Sequence, residues 1–300
     1  MDQDKLFKAF EKAKNRQSAT PVQATEATPI EKALLKRKAP APSSSAAELK
    51  TEPRTEVKNK QILTDVVKTK DVLSGGADLS KLITHQPMAV ATMRKNKLIY
   101  AGMKNKAVLN AYRELRIKLQ QKCEGGNATI LVSSVARNVE STLTAMNLAI
   151  SYSLDQKTSA LVIDCNPYSD ELKSLVTANY NVGLTDYVDN PDIGIDKILY
   201  QTGIDRVGFI PAGSNHERAV ELFSSSAMEA LLYELKNRYQ DRNIIVNTPP
   251  VLKTSEARVL TEYCDLTVLT VPFAKASNAD IEDAVNAIGS EHIAGVIYKH

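Results

Sequence analysis

The residues with the strongest claim to chemistry sit at three points between positions 130 and 250. The stretch Ile130-Leu-Val-Ser-Ser-Val-Ala-Arg-Asn-Val-Glu-Ser-Thr-Leu-Thr-Ala145 reads as an apolar strand, a turn and a helix opening at Ser141-Thr142. That is the frame of a phosphate-binding loop. A working loop, G-x-x-x-x-G-K-[ST], uses glycines so that backbone N–H groups close around phosphates, and a lysine that reaches the β/γ-phosphates. Here Glu140 precedes the hydroxyl pair, and Arg137 and Val139 stand where glycines would. A carboxylate about 4 Å from a phosphate charge costs roughly 4 kcal/mol at an effective dielectric of about 20, where a lysine would gain a similar amount. Ser141 and Thr142 are therefore expected to cap the helix.

The second point is Leu161-Val162-Ile163-Asp164-Cys165-Asn166, a carboxylate placed straight after an apolar run. Asp164 is the candidate catalytic base, weighed against the commoner role of an aspartate that caps a following helix, which is preferred. The third is Ile244-Ile245-Val246-Asn247-Thr248-Pro249-Pro250. Asn247 puts an amide where a carboxylate could hold magnesium, a cation that favours carboxylate and phosphate oxygens.

The elements that must position these residues follow from periodicity. A helix is predicted over 106–123, a strand over Ala128–Ser133 and a helix over about 141–154, with Leu143, Met146, Ile150 and Leu154 on one face. Ser159–Asp164 is a near-continuous apolar run, as for a strand buried on both faces. Helical or irregular segments cover 169–200. Strands are predicted at Val207–Ile210, Arg242–Val246, Leu266–Val271 and Ile293–Ile297, with helices at about 217–238, 254–263 and 277–288. The alternation predicts an α/β fold, a mainly parallel sheet with helices on both faces. Ligands on such sheets sit at the carboxyl ends of strands, where the three points fall.

Composition sets outer limits. The chain has 300 residues, 43% hydrophobic, with a net charge of +3, so total charge makes no case for nucleic acid. The cysteines, Cys123, Cys165 and Cys264, are scattered without metal spacing and suit a reducing compartment. His85, His216, His292 and His300 show no ligand spacing, and no metal site is expected. Residues 1–14 are charged throughout, so no signal peptide is visible, and no run of apolar residues is long enough to span a membrane.

Residues 1–60 are rich in Ala, Pro, Ser, Thr, Lys and Glu, and read as a disordered tail with short amphipathic helices. Leu6, Phe7 and Phe10 form a small apolar stripe suited to docking as a helix in a groove. Thr28-Pro29-Ile30-Glu31 carries helix-start signals ahead of Leu34-Leu35. Residues 61–105 read as a linker or a segment that packs on the main domain, which runs from 106 to 300.

From about residue 106 onward the sequence resembles the bacterial tyrosine kinases (BY-kinases) of capsule and exopolysaccharide systems, within the deviant P-loop ATPases. The exosortase-associated autokinases are the nearest in flavour. Ala111-Tyr112-Arg113-Glu114-Leu115-Arg116 resembles the E-x-x-R-x-x-R helix, and Asn147-Leu148-Ala149 the helix after Walker A. Asp164-Cys165-Asn166 resembles Walker A′ (D-x-D), and Val182-Gly183-Leu184-Thr185-Asp186-Tyr187 the G-L-x-D-x-L stretch. Ile210-Pro211-Ala212-Gly213 resembles the P-A-G turn, and Glu221-Leu222-Phe223 with Ala227-Met228 the E-L-L-x-S-x-x-M region. Asn247-Thr248-Pro249-Pro250 resembles Walker B. By this resemblance the departures fall on the chemistry. Glu140 replaces the Walker A lysine, Asn166 the second Walker A′ acid, Asn247 the Walker B acid and Lys299 a base-contacting Asn. Asn110 replaces the first residue of the E-x-x-R-x-x-R helix, where Arg113 and Arg116 are interface candidates.

The resemblance implies a scaffold or regulator of polysaccharide synthesis or export without ATP binding or kinase activity. It is expected in the cytoplasm, held at the inner membrane through a partner. That partner would be a membrane polysaccharide co-polymerase or a full BY-kinase of the same system, with a homo-oligomer as a further arrangement and no nucleic acid. No cofactor is expected; ATP and magnesium belong to the alternative, an active tyrosine autokinase controlling chain length. A cell-division or partition-type ATPase is the third reading.

Overall fold

The computed structural model describes residues 87–299 apart from residues 125, 137, 138 and 140. The N-terminal helix with Leu6, Phe7 and Phe10, the helix start at Thr28, and Arg137 and Glu140 lie outside the described residues.

The sheet is a seven-stranded α/β sheet in the order β3-β4-β2-β5-β1-β6-β7. Its strands are β1 (Thr129–Ser134), β2 (Ser159–Asp164), β3 (Tyr200–Gln201), β4 (Val207–Ile210), β5 (Arg242–Asn247), β6 (Leu266–Pro272) and β7 (Ile293–Lys299). Every neighbouring pair is parallel except β3 with β4. Strands β1, β2, β4 and β5 are buried along their whole length, which is why they read as continuous apolar runs instead of alternating ones.

Successive side chains still part to opposite faces. Ile130, Val132, Ala160, Val162 and Ile245 enter one core cluster, and Leu131, Leu161, Ile163, Ile244 and Val246 the other. The first face is covered by α1 (Val90–Lys95), α2 (Lys106–Lys122) and α3 (Thr142–Ser153). The short α4 (Glu171–Ser174) also contributes to it through Leu172. The second is covered by α5 (Leu184–Asp189), α6 (Ala219–Phe223) and α7 (Ser226–Arg238). A third cluster joins α8 (Glu256–Thr261) and α9 (Asn278–Ile288) to β6. Residues ahead of 106 take part in the core: Met88, Met93, Leu98 and Ile99 are buried in the first cluster.

Two expectations are corrected here. The single helix over 217–238 is two, α6 and α7, because Ser225 adopts an extended conformation and its hydroxyl accepts from the Met228 N–H, restarting the helix. Nor does α3 bury one face only. It is sunk in the domain on nearly every side. Its small polar residues bind the backbone of what covers them: Ser151 Oγ donates to the Tyr112 carbonyl of α2 at 3.0 Å. Asn147 clamps the segment before α2. It accepts from Ile99 N–H at 2.9 Å and donates to the Lys97 carbonyl at 3.2 Å. Carbonyls in the last turn of α3 and just past its end are taken by cations, which the helix dipole favours there. Arg116 donates to Ser151 O at 2.8 Å, and Arg206 to Asp155 O at 2.7 Å and to Ser153 O.

Candidate functional site

Because β2, β5 and β1 are consecutive in the sheet, the three strand ends singled out by sequence lie side by side. The register sets Asp164 directly opposite Asn247. Asn247 Nδ2 donates to Asp164 Oδ1 at 3.0 Å, and the Asn166 N–H donates to the same oxygen at 3.1 Å. All three side chains are buried, Asn166 and Asn247 at 1% exposure and Asp164 at 5%. The Asp164 carboxylate thus closes a tight turn after β2 and ties it to β5. It does not cap a helix, contrary to the sequence expectation, because the next residues turn instead of entering one. Asn166 Oδ1 in turn accepts from the Tyr168 N–H at 3.4 Å.

At the end of β1, one carbonyl gathers the elements. Val132 O accepts from Ser141 Oγ at 3.1 Å, from the Thr248 N–H at 3.2 Å and from Thr248 Oγ1 at 3.4 Å. Ser141 occupies the position ahead of α3, yet its hydroxyl faces back to the strand. The capping expectation fails because Ser141 has helical backbone angles, φ −95° and ψ 0°, whereas a capping side chain needs extended ones. Thr142 Oγ1 and Asn247 Oδ1 are buried without a hydrogen-bond partner among the described residues. Val139, in a place where a phosphate loop needs a glycine, is half-buried against the third core cluster.

Two residues missed in the sequence border this cluster. Glu256, in the first turn of α8, is fully buried, and Tyr168 donates its phenol proton to Glu256 Oε1 at 2.5 Å. Burial first, then the hydrogen bond and charge of Glu256, push the Tyr168 phenol up to about 12. Cys165 is wholly buried, and desolvation raises its thiol, with the charges of Asp164, Cys264 and Glu256 adding to the shift. The readable signal for Glu256 was Thr254-Ser255-Glu256, a helix start, but nothing local says that its carboxylate turns inward.

The matched motifs further along the chain meet each other. The Leu184 N–H donates to Pro211 O at 2.7 Å and the Thr185 N–H to Ala212 O at 2.9 Å. Asp186 accepts from the Gly183 N–H at 2.8 Å and from the Ser214 hydroxyl at 2.5 Å. A side chain at Gly183 would lie 2.4 Å from Gly213 N and from Pro211 O, so only glycine fits. An open cavity of about 580 Å³ beside this junction is lined by Asp186, Asp189, Ser214, Asn215, His216 and Glu217.

Arg113 is exposed and lies 3.5 Å from Asn110 Oδ1 on its own helix, while Arg116 faces inward to Ser151 and Asp155. Among the described residues no group of His, Cys, Asp and Glu could hold a metal, and no helix is long and apolar enough to cross a membrane.

No family model matches the chain. It is 23% identical over 160 residues to the tyrosine-protein kinase ptk of Acinetobacter johnsonii, covering 53% of this chain but 21% of that protein. It is 24% identical over 160 residues to the tyrosine-protein kinase CpsD of Streptococcus agalactiae, covering 53% of this chain and 68% of the relative. The chain therefore spans only about a fifth of the first protein's length. Among solved structures, the kinase domain of the Escherichia coli tyrosine kinase ETK superposes with a TM-score of 0.60 at 22% identity, over 75% of this chain and 86% of that one. The chimerical protein CapA2B2 superposes with a TM-score of 0.60 at 18% identity, over 73% and 96%. The fold is thus that of the bacterial tyrosine kinase domains.

Proposed function

We propose that this chain, a relative of the tyrosine kinases of bacterial capsule systems, keeps their scaffold as a regulatory or structural module of capsular or exopolysaccharide synthesis or export, without using ATP. The observation that carries this reading is the Asp164–Asn247 hydrogen bond. A magnesium–triphosphate site needs carboxylates turned to the cation and an open cradle of N–H groups. Here, among the described residues, the Asp164 carboxylate at the strand ends already accepts from two N–H donors, those of Asn247 and Asn166, and Val139 packs half-buried against the core. These residues do not fit magnesium triphosphate.

The scaffold's role is then to bind. The partner proposed is the cytoplasmic end of a membrane polysaccharide co-polymerase or a complete kinase of the same system. The sequence stripe Leu6, Phe7 and Phe10 is its anchor, and Arg113 is a further contact. Incubation of the purified chain with magnesium and γ-labelled ATP, followed by phosphotyrosine detection, is expected to give no signal above a heat-denatured control. Tagged protein from its native cell should co-purify the partner, and Phe10→Asp should abolish that capture without moving the melting temperature. Tyrosine phosphorylation by the isolated chain would replace this reading with the active autokinase.

A further inference from the structure

Residues 79–113 contain seven Lys and Arg residues and no Asp or Glu. The described part of that run folds as α1, a loop and the start of α2. Arg94, Lys95, Lys97, Lys104 and Lys106 are all exposed there. Among the described residues, none of the five pairs with a carboxylate. The acidic turn of α4 comes near, through Asn96 Nδ2 and Ser174 O at 3.4 Å, yet Asp170 and Glu171 stay outside ion-pair distance of them. Arg94, Lys97 and Lys104 rim one groove of about 540 Å³ whose floor holds Tyr100, Met103 and Val108. Val90, one helical turn before Arg94 on α1, is 50% exposed, and Val108 is 38% exposed. The Asn147 clamp fixes this surface to the core, holding Lys97 at a φ of 57°.

We propose that this surface contacts an anionic phospholipid membrane directly. Unpaired cations beside exposed aliphatic side chains match a negatively charged bilayer face, where each Lys or Arg adds attraction and apolar groups enter the interface. Four of the five cations are lysines, compact point charges that suit a diffuse anionic surface better than the bidentate geometry arginine offers a carboxylate or phosphate ester. Nucleic acid would call for aromatic stacking platforms, and Tyr100 is the one aromatic side chain in the groove. The inference is independent of the nucleotide site, so ATP binding would neither support nor remove it.

The test is co-sedimentation of the full chain with phosphatidylcholine vesicles, with and without roughly a third of phosphatidylglycerol. Binding is expected only to the anionic vesicles and should fall steeply with added salt. Each removed cation should weaken it roughly fivefold, so the triple variant Lys97→Gln, Lys104→Gln, Lys106→Gln should bind roughly a hundredfold less. Val90→Ser with Val108→Ser should also weaken binding, while circular dichroism and melting stay those of the parent. Equal sedimentation with both vesicle types, or binding by the triple variant equal to the parent's, overturns the proposal. So does capture of a soluble poly-glutamate peptide, lost in the triple variant, by a chain that ignores anionic vesicles; that outcome would make the groove a site for acidic peptides.

Discussion

Asp164 and Asn247 are 83 residues apart in sequence and 3.0 Å apart in space. Each was readable as a strand end, but their partnership depends on β2 and β5 being neighbours, which no local pattern reports. Asn247→Asp would set a second carboxylate opposite Asp164. At about 4 Å and an effective dielectric of about 20, the repulsion approaches ~4 kcal/mol. A like charge raises a carboxyl pKa, so the destabilisation should be full near neutral pH and fade as pH falls through the raised value. Melting curves across pH check this, and a pH-independent loss would contradict it. The Tyr168–Glu256 pair runs the other way along the pH scale. With the phenol pushed up to about 12, stability from the protonated phenol's hydrogen bond to Glu256 is present below the unfolded value of about 10 and lost as pH rises toward about 12. Glu256→Gln should bring the Tyr168 phenolate transition to lower pH, seen in ultraviolet difference spectra against Tyr168→Phe. An unmoved transition would mean that burial alone sets it.

Among the elements, long apolar strands were legible because burial on both faces leaves no alternation to misread. The helix α1 was missed because it is six residues long and buries only Met93. The break between α6 and α7 carried a signal in Ser224-Ser225-Ser226 that the apolar period on either side concealed. The G-L-T-D and P-A-G stretches were visible as motifs, while their reason is the contact between them. Gly213 has a φ of +92°, and a methyl there would meet Thr185 Oγ1 at 2.5 Å. Gly213→Ala should therefore cost about 1–3 kcal/mol, measured by denaturant unfolding, and an unchanged midpoint would show the turn to be pliable. Asn147 was read as part of a motif helix and proves to be the clamp that docks the chain before α2. Asn147→Ala leaves the buried Ile99 N–H and the Lys97 carbonyl without it, a loss of about 1–3 kcal/mol. Amide exchange of Ile99 should rise sharply in that variant, and unchanged protection would mean that the loop is held by its apolar contacts.

At the scale of the whole molecule, the described fold is a mainly parallel sheet in which the ends of β1, β2 and β5 carry a packed polar cluster: Val132 O gathers the hydroxyls of Ser141 and Thr248, and Asp164 accepts from Asn247 and Asn166. The substituted positions were plain in the sequence. How the remaining polar groups bind one another was not, since Ser141 needed only a helical φ and ψ to turn from the helix to the strand. The most direct measurement is the melting temperature with and without millimolar magnesium-ATP. A ligand that binds only the folded state adds about 2.7 kcal/mol at a hundredfold excess over its dissociation constant. For a domain of this size each kcal/mol moves the midpoint by roughly 2–4 °C. A nucleotide-binding relative should shift by several degrees. This protein should show no shift beyond a matched salt control, and Glu140→Lys alone should not create one. A magnesium-dependent, nucleotide-specific rise in the unmodified protein would contradict the account.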